Sequence, residues 1–525
     1  MNLPRAYLLL PVLPMVLLHL IPDARGFLSD DFTHFHWLHA AAAKGKLVSW
    51  LASTFSSPLP TGNFAYRPVV FTSYAIDYLV FGTNASGWHL TNVLVHSLNA
   101  GLAGFLVFRA AQFFEGSRPH IAAAFAIAFA AWIPFAGEST LWPVGRFDLL
   151  ACFFSLIFLL QLHRVTREGE PQIRQTLGMG IVLLLALLSK ESAMPMVAVG
   201  IAFSMAIRLH LGDSPQKALL CTLRVHGAAL LMVLGYFFWR KSLFASAWKV
   251  YPDSRTPSSF GEAIGRVATL ADAPRAIYGD ATPWLAALGT LCFAALLAIW
   301  LHRKRRKPMD VMLPLLLITC SVGYLLAPAT SFPIIGSSGE GTRNLYIGLV
   351  LGACGMGWLA SLNSRTVLAA IPCLVISVVG HTLSVRAWQI ASDTMYDAQA
   401  SIPTFMATVP KEKFVLLMLP DHRASIPFLR NAQGGIVVPP TQVADFTSRG
   451  VGMTPLQFDE WAQHFGSGTV NKLKGHAFEM SDFLGVACWN PVEKQFSLLS
   501  SPYSNNAGIW QSKVLADAVK RGCVL

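Results

Sequence analysis

The chain has 525 residues, of which 54% are hydrophobic and only 13% are charged. This composition excludes a typical soluble globular protein and predicts an integral membrane protein. The formal net charge is +12, but the basic residues are divided among short loops and form no continuous stripe, which argues against nucleic-acid binding. Membrane orientation and contact with anionic lipid headgroups explain these charges better.

Apolar stretches recur from residue 6 to residue 385. A helix needs about 20 apolar residues to cross a bilayer, and on this criterion we predict about 11 transmembrane helices. They lie at residues 6–22, 88–108, 120–136, 147–162, 175–189, 193–208, 222–242, 284–301, 311–328, 345–361 and 366–385. The first is expected to be an uncleaved signal anchor rather than a cleaved signal, because Pro11 and Pro14 interrupt it.

The basic residues predict the orientation of these helices. Under the positive-inside rule the basic loops lie in the cytoplasm, and these loops contain Arg5, Arg109, Arg118, residues 164–174 and 208–224, and the run 303–307. The expected location is a bacterial-type inner membrane, with a cytoplasmic N-terminus and an extracytoplasmic C-terminal domain. We divide the chain into a multi-pass domain at residues 1–385, with a large outer loop at 23–87, and a soluble domain at 386–525.

Two segments decide the parity of this count. Residues 69–81 are apolar but short and contain Asp77, so we predict an amphipathic helix in the outer interface. Residues 175–208 are interrupted by Lys190 and Glu191, and we predict a hairpin there. A single crossing would place the basic run 303–307 outside, which the positive-inside rule disfavours.

The C-terminal domain is expected to have a small mixed α/β fold. Residues 414–419 and 435–438 have the composition of strands, and Thr454-Pro455 is a typical helix start. Cys488 and Cys523 are able to pair if this domain is extracytoplasmic, although their spacing alone does not show it. The fold class is therefore a polytopic α-helical membrane protein with a C-terminal α/β domain.

Two adjacent carboxylates, Asp30 and Asp31, follow the first predicted crossing. A carboxylate at headgroup depth is able to act as a base between a lipid phosphate and a water-soluble acceptor. The alternative is that they cap a helix beginning near Phe32, but capping requires only one of them.

Further candidates lie on the same predicted side. Arg67, after Tyr66, is able to bind phosphate in a fork geometry or to extend to headgroups. His89 is the outermost residue of a polar helix face that continues through Asn92, His96 and Asn99, a pattern typical of interhelical bonding or of a site.

Three short outer segments carry the remaining charged candidates. The turn after residue 136 contains a possible structural ion pair or site formed by Glu138, Arg146 and Asp148. Lys190 and Glu191 at the hairpin tip are either an anchor or part of a catalytic face. Arg343 ends a glycine-rich loop, which is able to approach a ligand closely or to serve as a plain connector.

These motifs together resemble the GT-C superfamily of polytopic glycosyltransferases. The resemblance rests on the aspartate pair, YRP at 66–68, GWHLTNVLVH at 87–96, GES with WPVGRFDLL between 137 and 150, and LSKES at 188–192. The chain looks like the transmembrane part of the O-mannosyltransferases that carry tetratricopeptide repeats, and like related bacterial enzymes. The resemblance covers about residues 25–195 and the GTRNLY element at 341–346. The tail lacks the repeat of about 34 residues, which puts a protein acceptor in doubt.

The resemblance implies an inverting glycosyltransferase that moves a sugar from a polyprenyl-phosphate carrier to an acceptor on the extracytoplasmic face. It implies catalytic roles for Asp30 or Asp31 and for Glu138, and phosphate binding by Arg67, His89, Lys190 and Arg343; Tyr66, Arg146, Asp148 and Glu191 are further candidates.

The expected partners are the lipid-linked donor, membrane lipids, and a glycan, lipid or protein acceptor, with no nucleic acid. Acidic residues suit Mg²⁺ or Mn²⁺, but acid–base chemistry without a metal needs the same residues. The alternative functions are a non-catalytic transporter or flippase of lipid-linked sugars and a membrane scaffold.

Overall fold

The computed structural model describes residues 26–58, 65–115, 118–169, 171–244, 258–301, 320–323, 341–429, 432–459, 461, 469–473, 476–500, 503–504 and 506–523. The predicted crossing at 6–22 lies outside these ranges, and only residues 320–323 of the one at 311–328 lie within them.

The described part of the chain up to residue 408 is helical. Its helices are α1 Asp31–Ala43, α2 Leu47–Thr54, α3 Pro68–Phe81, α4 Ala85–Phe114, α5 Pro119–Ala131, α6 Gly137–Thr140, α7 Arg146–Glu168, α8 Ile173–Ser189, α9 Met196–His210, α10 Pro215–Phe244, α11 Phe260–Ala268, α12 Asp272–Tyr278, α13 Thr282–Leu301, α14 Tyr346–Ala360 and α15 Ser364–Thr408. Short 3-10 turns at Pro143–Gly145, Glu191–Ala193 and Thr342–Leu345 precede α7, α9 and α14.

Several of these helices are long and apolar enough to cross a membrane. Within the described residues there are five, at Ala85–Phe114, Pro143–Glu168, Glu191–His210, Pro215–Phe244 and Ser364–Thr408. The chain is therefore a multi-pass helical membrane protein, and the number of 11 crossings stays a prediction. The predicted break at Lys190 is confirmed, because α8 ends at Ser189 and α9 begins at Met196.

Small residues bring the central helices close together. A Cβ atom on Gly104 of α4 would lie 2.3 Å from Ile127 of α5, and one on Gly357 of α14 would lie 2.6 Å from the Ala122 carbonyl of α5. Glycine at these contacts lets the backbones approach as helices in membranes commonly do. The result is a compact group of α4, α5 and α14, against which α7 also packs.

The side chains on the polar face of α4 bind backbone carbonyl groups of neighbouring segments. His96 Nε2 lies 3.0 Å from the carbonyl oxygen of Ala131, where α5 ends. Asn92 donates to the carbonyls of Ser139 and Trp142, at 3.1 and 3.0 Å. Because unpaired carbonyls are expensive away from water, these side chains allow an irregular outer turn between α5 and α7.

The described residues after 408 form a mixed α/β module. It contains β1 Phe414–Met418, β2 His422–Arg423, β3 Ile426–Pro427, β4 Gly450–Met453, β5 Thr469–Leu473, β6 His476–Glu479, β7 Phe483–Asn490, β8 Gln495–Leu498 and the helix α16 Ala507–Lys520. One sheet has the order β4-β1-β7-β8, in which β1 is parallel to both neighbours and β8 is antiparallel to β7. A disulfide joins Cys488 of β7 to Cys523 beyond α16.

The strand prediction for this module is right in one place and wrong in another. The strand at 414–419 is confirmed as β1, and the helix predicted to start at Thr454-Pro455 begins with a 3-10 turn over Pro455–Gln457. The strand predicted at 435–438 is instead a 3-10 turn over Gly435–Val437. Its apolar side chains fill the contact with α1, where a Cβ on Gly435 would lie 2.8 Å from that of Phe32.

The sheet packs directly on α1 and α15. Val415 and Leu417 of β1 belong to the same buried core as Phe32 of α1 and Trp388 of α15. The alternate side chains of β1 pack with Trp510 of α16 on the opposite face, as the period of two in a strand requires. The module therefore forms one wall behind the aspartate pair.

Candidate active site on the outer helices

The two aspartates have different surroundings. Asp31 is buried, and its carboxylate accepts hydrogen bonds from the backbone N–H groups of Leu28, at 3.0 Å, and Val144, at 3.1 Å. Burial raises the pKa of Asp31 well above its usual range, although these two donors act in the opposite direction. Asp31 thus joins the start of α1 to the turn before α7, and a catalytic role for it stays a prediction.

Asp30 is half-buried at the N-cap position of α1, but its side chain makes no capping hydrogen bond. Within the described residues no hydrogen bond or ion pair involves its carboxylate. The preceding residue, Ser29, has φ of 51°, a conformation that is uncommon for a residue with a side chain and is found at functional sites. Asp30 is therefore the available carboxylate of the pair.

Arg67 is held by Glu191 across 124 residues of sequence. Its Nη2 and Nε atoms donate to the two carboxylate oxygens at 2.6 and 3.3 Å. The guanidinium carbon also lies 4.4 Å from the centroid of the Phe147 ring. The fork geometry and the ring together fix the orientation of this arginine just before α3.

Lys190 binds partners on different elements from those bound by its neighbour Glu191. Its Nζ atom lies 2.7 Å from both carboxylate oxygens of Asp148 and 2.7 Å from Oδ1 of Asn344. Both members of the ion pair are almost completely buried. The tip between α8 and α9 therefore connects α7 and the turn before α14.

Glu138 organises the turn that carries Arg343. Its carboxylate accepts hydrogen bonds from the N–H groups of Gly341 and Arg343, at 3.1 and 2.8 Å, and from the Thr342 hydroxyl, at 3.0 Å. It also forms an ion pair with the Arg343 guanidinium, which lies 4.7 Å from the ring centroid of Trp142. These contacts tie Glu138 to the turn before α14, and the catalytic role that the resemblance implies for it stays a prediction.

The cations of these pairs lie close to one another. Asp148 is within electrostatic range of Arg67 and Arg343 in addition to Lys190. Glu191 is in turn within range of Arg240 of α10, a buried arginine that sequence reasoning missed. We call Arg67, Lys190, Arg240 and Arg343 the cation cluster.

The ion-pair interpretation predicted that Arg146 pairs with Glu138 or Asp148. The structure shows that it pairs with neither. Its Nη2 lies 2.5 Å from Asp77, and its Nε donates to Asn92 at 2.6 Å. The side chain is fully buried and joins α3, α4 and α7. The Asp77 that interrupts the apolar segment 69–81 is therefore explained by a buried arginine.

Two further candidates lie outside the cation cluster. His89 is completely buried, and its Nε2 lies 3.3 Å from the Gly26 carbonyl oxygen. The Tyr66 hydroxyl donates to the Phe55 carbonyl at 2.7 Å and accepts from Trp239 Nε1 at 3.0 Å. Both side chains support neighbouring backbone or helices, and phosphate binding by His89 stays a prediction.

A divalent cation finds no ligand set in the described part of the chain. No three His, Cys, Asp or Glu side chains there lie close enough to share a metal ion. Glu138, Asp148 and Glu191 are each paired with an arginine or lysine side chain, and a requirement for Mg²⁺ or Mn²⁺ stays a prediction.

His34 is a second residue that sequence reasoning missed. It follows Asp30 by four residues on α1, and its ring contacts Phe71 and Phe147, with centroids 5.4 and 6.2 Å apart. The pKa of His34 is lowered to about 4, mainly by burial; the Asp30 charge opposes this shift and the Arg67 charge contributes to it. The spacing from Asp30 was the available signal, since residues four apart share a helix face.

Comparison with known proteins gives the following matches. No family model matches the chain. Over 131 residues, 25% of this chain and 14% of the relative, it is 34% identical to protein O-mannosyl-transferase Tmtc1 of Drosophila melanogaster. Over 177 residues, 33% of this chain and 23% of the relative, it is 27% identical to protein O-mannosyl-transferase F38B6.6 of Caenorhabditis elegans.

Each match covers less than a quarter of the relative's length.

Among solved structures, ArnT from Cupriavidus metallidurans bound to undecaprenyl phosphate aligns over 88% of this chain and 92% of that one, at 13% identity and a TM-score of 0.44. The resemblance to the O-mannosyltransferases that the sequence predicted is confirmed over the residues that match the two relatives.

Proposed function

We propose that the chain is an inverting glycosyltransferase that transfers a sugar from a polyprenyl-phosphate carrier to an acceptor hydroxyl on the extracytoplasmic face. The observation that carries the proposal is the Asp30 carboxylate, which has no partner within the described residues and which acts, as does Arg67 of the cation cluster, on the ring of His34. A general base needs a carboxylate that no cation or donor already occupies, and a departing phosphate needs fixed positive charge. The outer helices bring these two requirements together.

The reaction is a single displacement. The acceptor oxygen attacks the anomeric carbon while Asp30 removes its proton. The bond between the anomeric carbon and the phosphate oxygen breaks, and the electron pair remains on the phosphate. Arg67 and Arg343 neutralise this charge, and attack from the opposite side inverts the anomeric configuration.

The ion pairs prepare the cations for this role. Glu191 and Glu138 hold Arg67 and Arg343 in fixed orientations, so that little reorganisation is needed when the phosphate leaves. The Arg343 side chain stays 14% exposed, which leaves it accessible from the site. Lys190 is almost fully enclosed by its partners and acts by positioning.

The Cys488–Cys523 disulfide supports an extracytoplasmic module, because disulfides persist in oxidising compartments. The names of the two relatives make a mannosyl donor the first to test. Glycan, lipid and protein acceptors are all consistent with the site.

The test is transfer by the purified full-length protein in lipid nanodiscs. The assay supplies polyprenyl-phosphate [³H]mannose with a panel of lipid-linked glycans, polysaccharide fragments and Ser/Thr peptides, and it includes other polyprenyl-phosphate sugars. We expect one donor to give a product of inverted configuration, and Asp30→Asn to abolish it. Translocation of the intact lipid-linked sugar without a new glycosidic bond would instead establish a transporter and reject the proposal.

A further inference from the structure

One face of α1 looks toward the proposed site and carries three residues of distinct chemistry. Asp30, His34 and Trp37 follow one another at helical spacings of four and three. All three side chains are partly exposed, whereas Phe35 and Leu38 on the other face are buried in the core. We call these three residues the α1 face.

His34 lies within electrostatic range of both the proposed base and the proposed phosphate-binding arginine. The charges of Asp30 and Arg67 both act on its ring. The ring also contacts Phe147, over which the Arg67 guanidinium lies. The Trp37 ring contacts the His34 ring edge-on, with the two ring centroids 5.4 Å apart.

The hydrogen bonding of His34 differs from that of its neighbours. On the same helix, His36 Nδ1 lies 2.8 Å from the Pro439 carbonyl, and His39 Nδ1 lies 2.9 Å from the Tyr78 hydroxyl. His34 makes no such bond in the described residues. Its Nδ1 atom is buried without a hydrogen-bond partner, whereas its Nε2 atom is not among the buried atoms that lack one. A histidine that served packing alone would be poorly placed here, because buried polar atoms are normally paired.

We propose that His34 contacts the transferred sugar, with Nε2 hydrogen-bonded to a hydroxyl of the sugar ring and Trp37 covering an apolar face of that ring. This inference rests on the proposed function and deepens it. The base meets the acceptor hydroxyl and the cations meet the phosphate, so the sugar occupies the space between them. His34 lies in that space.

A neutral imidazole suits this role. It presents a donor or an acceptor at Nε2 according to its tautomer, and it adds no charge to compete for the phosphate. A site that hydrogen-bonds a substrate hydroxyl discriminates strongly against sugars that lack it. His34 is therefore assigned to recognition of the sugar and not to proton removal.

The experiment compares His34→Phe, which removes the polar atom, with His34→Gln, which retains a donor and an acceptor. His39→Phe is the matched control, a histidine of the same helix that bonds to Tyr78. With polyprenyl-phosphate mannose as donor, we expect kcat/KM to fall about 10- to 100-fold in His34→Phe and less than about 5-fold in His34→Gln. Inhibition by polyprenyl phosphate without sugar should be the same in all variants.

Binding without turnover separates this inference from the proposed function. The affinity ratio between polyprenyl-phosphate mannose and bare polyprenyl phosphate is measured in nanodiscs for the wild type and His34→Phe. A ratio that shrinks in the variant supports a sugar contact even if no acceptor is found. An unchanged affinity ratio overturns the inference, whether the two affinities stay at their wild-type values or fall by the same factor. Absence of transfer by the wild type with every donor and acceptor would reject the enzymatic function instead.

Discussion

The cation cluster and the α1 face lie next to each other but differ in how their charges are satisfied. In the cluster, Arg67, Lys190 and Arg343 each have a carboxylate partner. On the α1 face, the Asp30 carboxylate has none within the described residues. The contrast teaches that a charged residue near a site is not automatically available for chemistry.

Energetics explain the difference. A buried charge whose partner is removed destabilises a protein by about 3–5 kcal/mol. The folded protein therefore depends on the carboxylates that pair with the cation cluster. An unpaired carboxylate contributes no comparable stabilisation. The expected signature is that substitutions on the α1 face change activity, whereas substitutions in the cluster change stability as well.

Asp30→Asn is the largest test of this contrast. Loss of a general base should lower kcat by about 10²- to 10⁴-fold, while the midpoint of thermal unfolding in detergent stays at the wild-type value. Glycosyl transfer and unfolding are measured on the same preparation. Wild-type turnover in Asp30→Asn would move the base elsewhere, and Asp31 would be the next residue to test.

Lys190→Met examines the other side of the comparison. Removing the lysine leaves Asp148 as an uncompensated buried carboxylate and should destabilise the protein by about 3–5 kcal/mol. The matched control is Lys190→Met combined with Asp148→Asn, in which no charge is left unpaired, and part of the unfolding temperature should return. A double variant less stable than Lys190→Met would show that the pair is not the cause.

Cys488→Ser sharpens the comparison by destabilising the C-terminal module, which contains neither the cation cluster nor the α1 face. The disulfide closes a sequence separation of 35 residues, for which the expected loss is about 3–4 kcal/mol. Proteolysis of the C-terminal module should accelerate, while initial transfer rates at low temperature remain unchanged. Cys221→Ser, which affects an unbridged cysteine of α10, is the control, and equal proteolysis of the two variants would count against a stabilising disulfide.

Asp31→Asn should have the smallest effect and separate the two aspartates. An asparagine oxygen is able to satisfy one of the two backbone donors of Leu28 and Val144, but its amide group meets the other. One unsatisfied buried donor costs about 1–3 kcal/mol, so the unfolding midpoint should fall while kcat changes much less than in Asp30→Asn. The reverse ranking of the two variants would exchange their roles.

The sequence predicts the helical part of this fold well because hydrophobic length and helix breaks are local properties. The interruption at Lys190 and the strand at residue 414 were both accessible in this way. The turn over Gly435–Val437 was not, because its valine and isoleucine pack against α1 and residues of this composition equally suit a strand. Tertiary packing overrides local propensity there.

The site is less accessible from sequence. Its residue types were predicted, but their partners were not: Arg67 pairs with a carboxylate 124 residues away, and Glu138 bonds a turn 203–205 residues away. No helical or strand period reports such contacts. His34 was missed because the sequence of a helix with three histidines offers no way to tell which one lacks a partner.

The adjacent residues Lys190 and Glu191 also have a consequence for biogenesis. Their partners come from segments that enter the membrane both before and after them, and Asn344 is the last to be synthesised. A nascent chain released earlier would contain the Asp30 carboxylate but neither Arg343 nor the contact that completes the Lys190 environment. Under the proposed function, transfer activity therefore requires synthesis and insertion of the chain at least as far as Asn344.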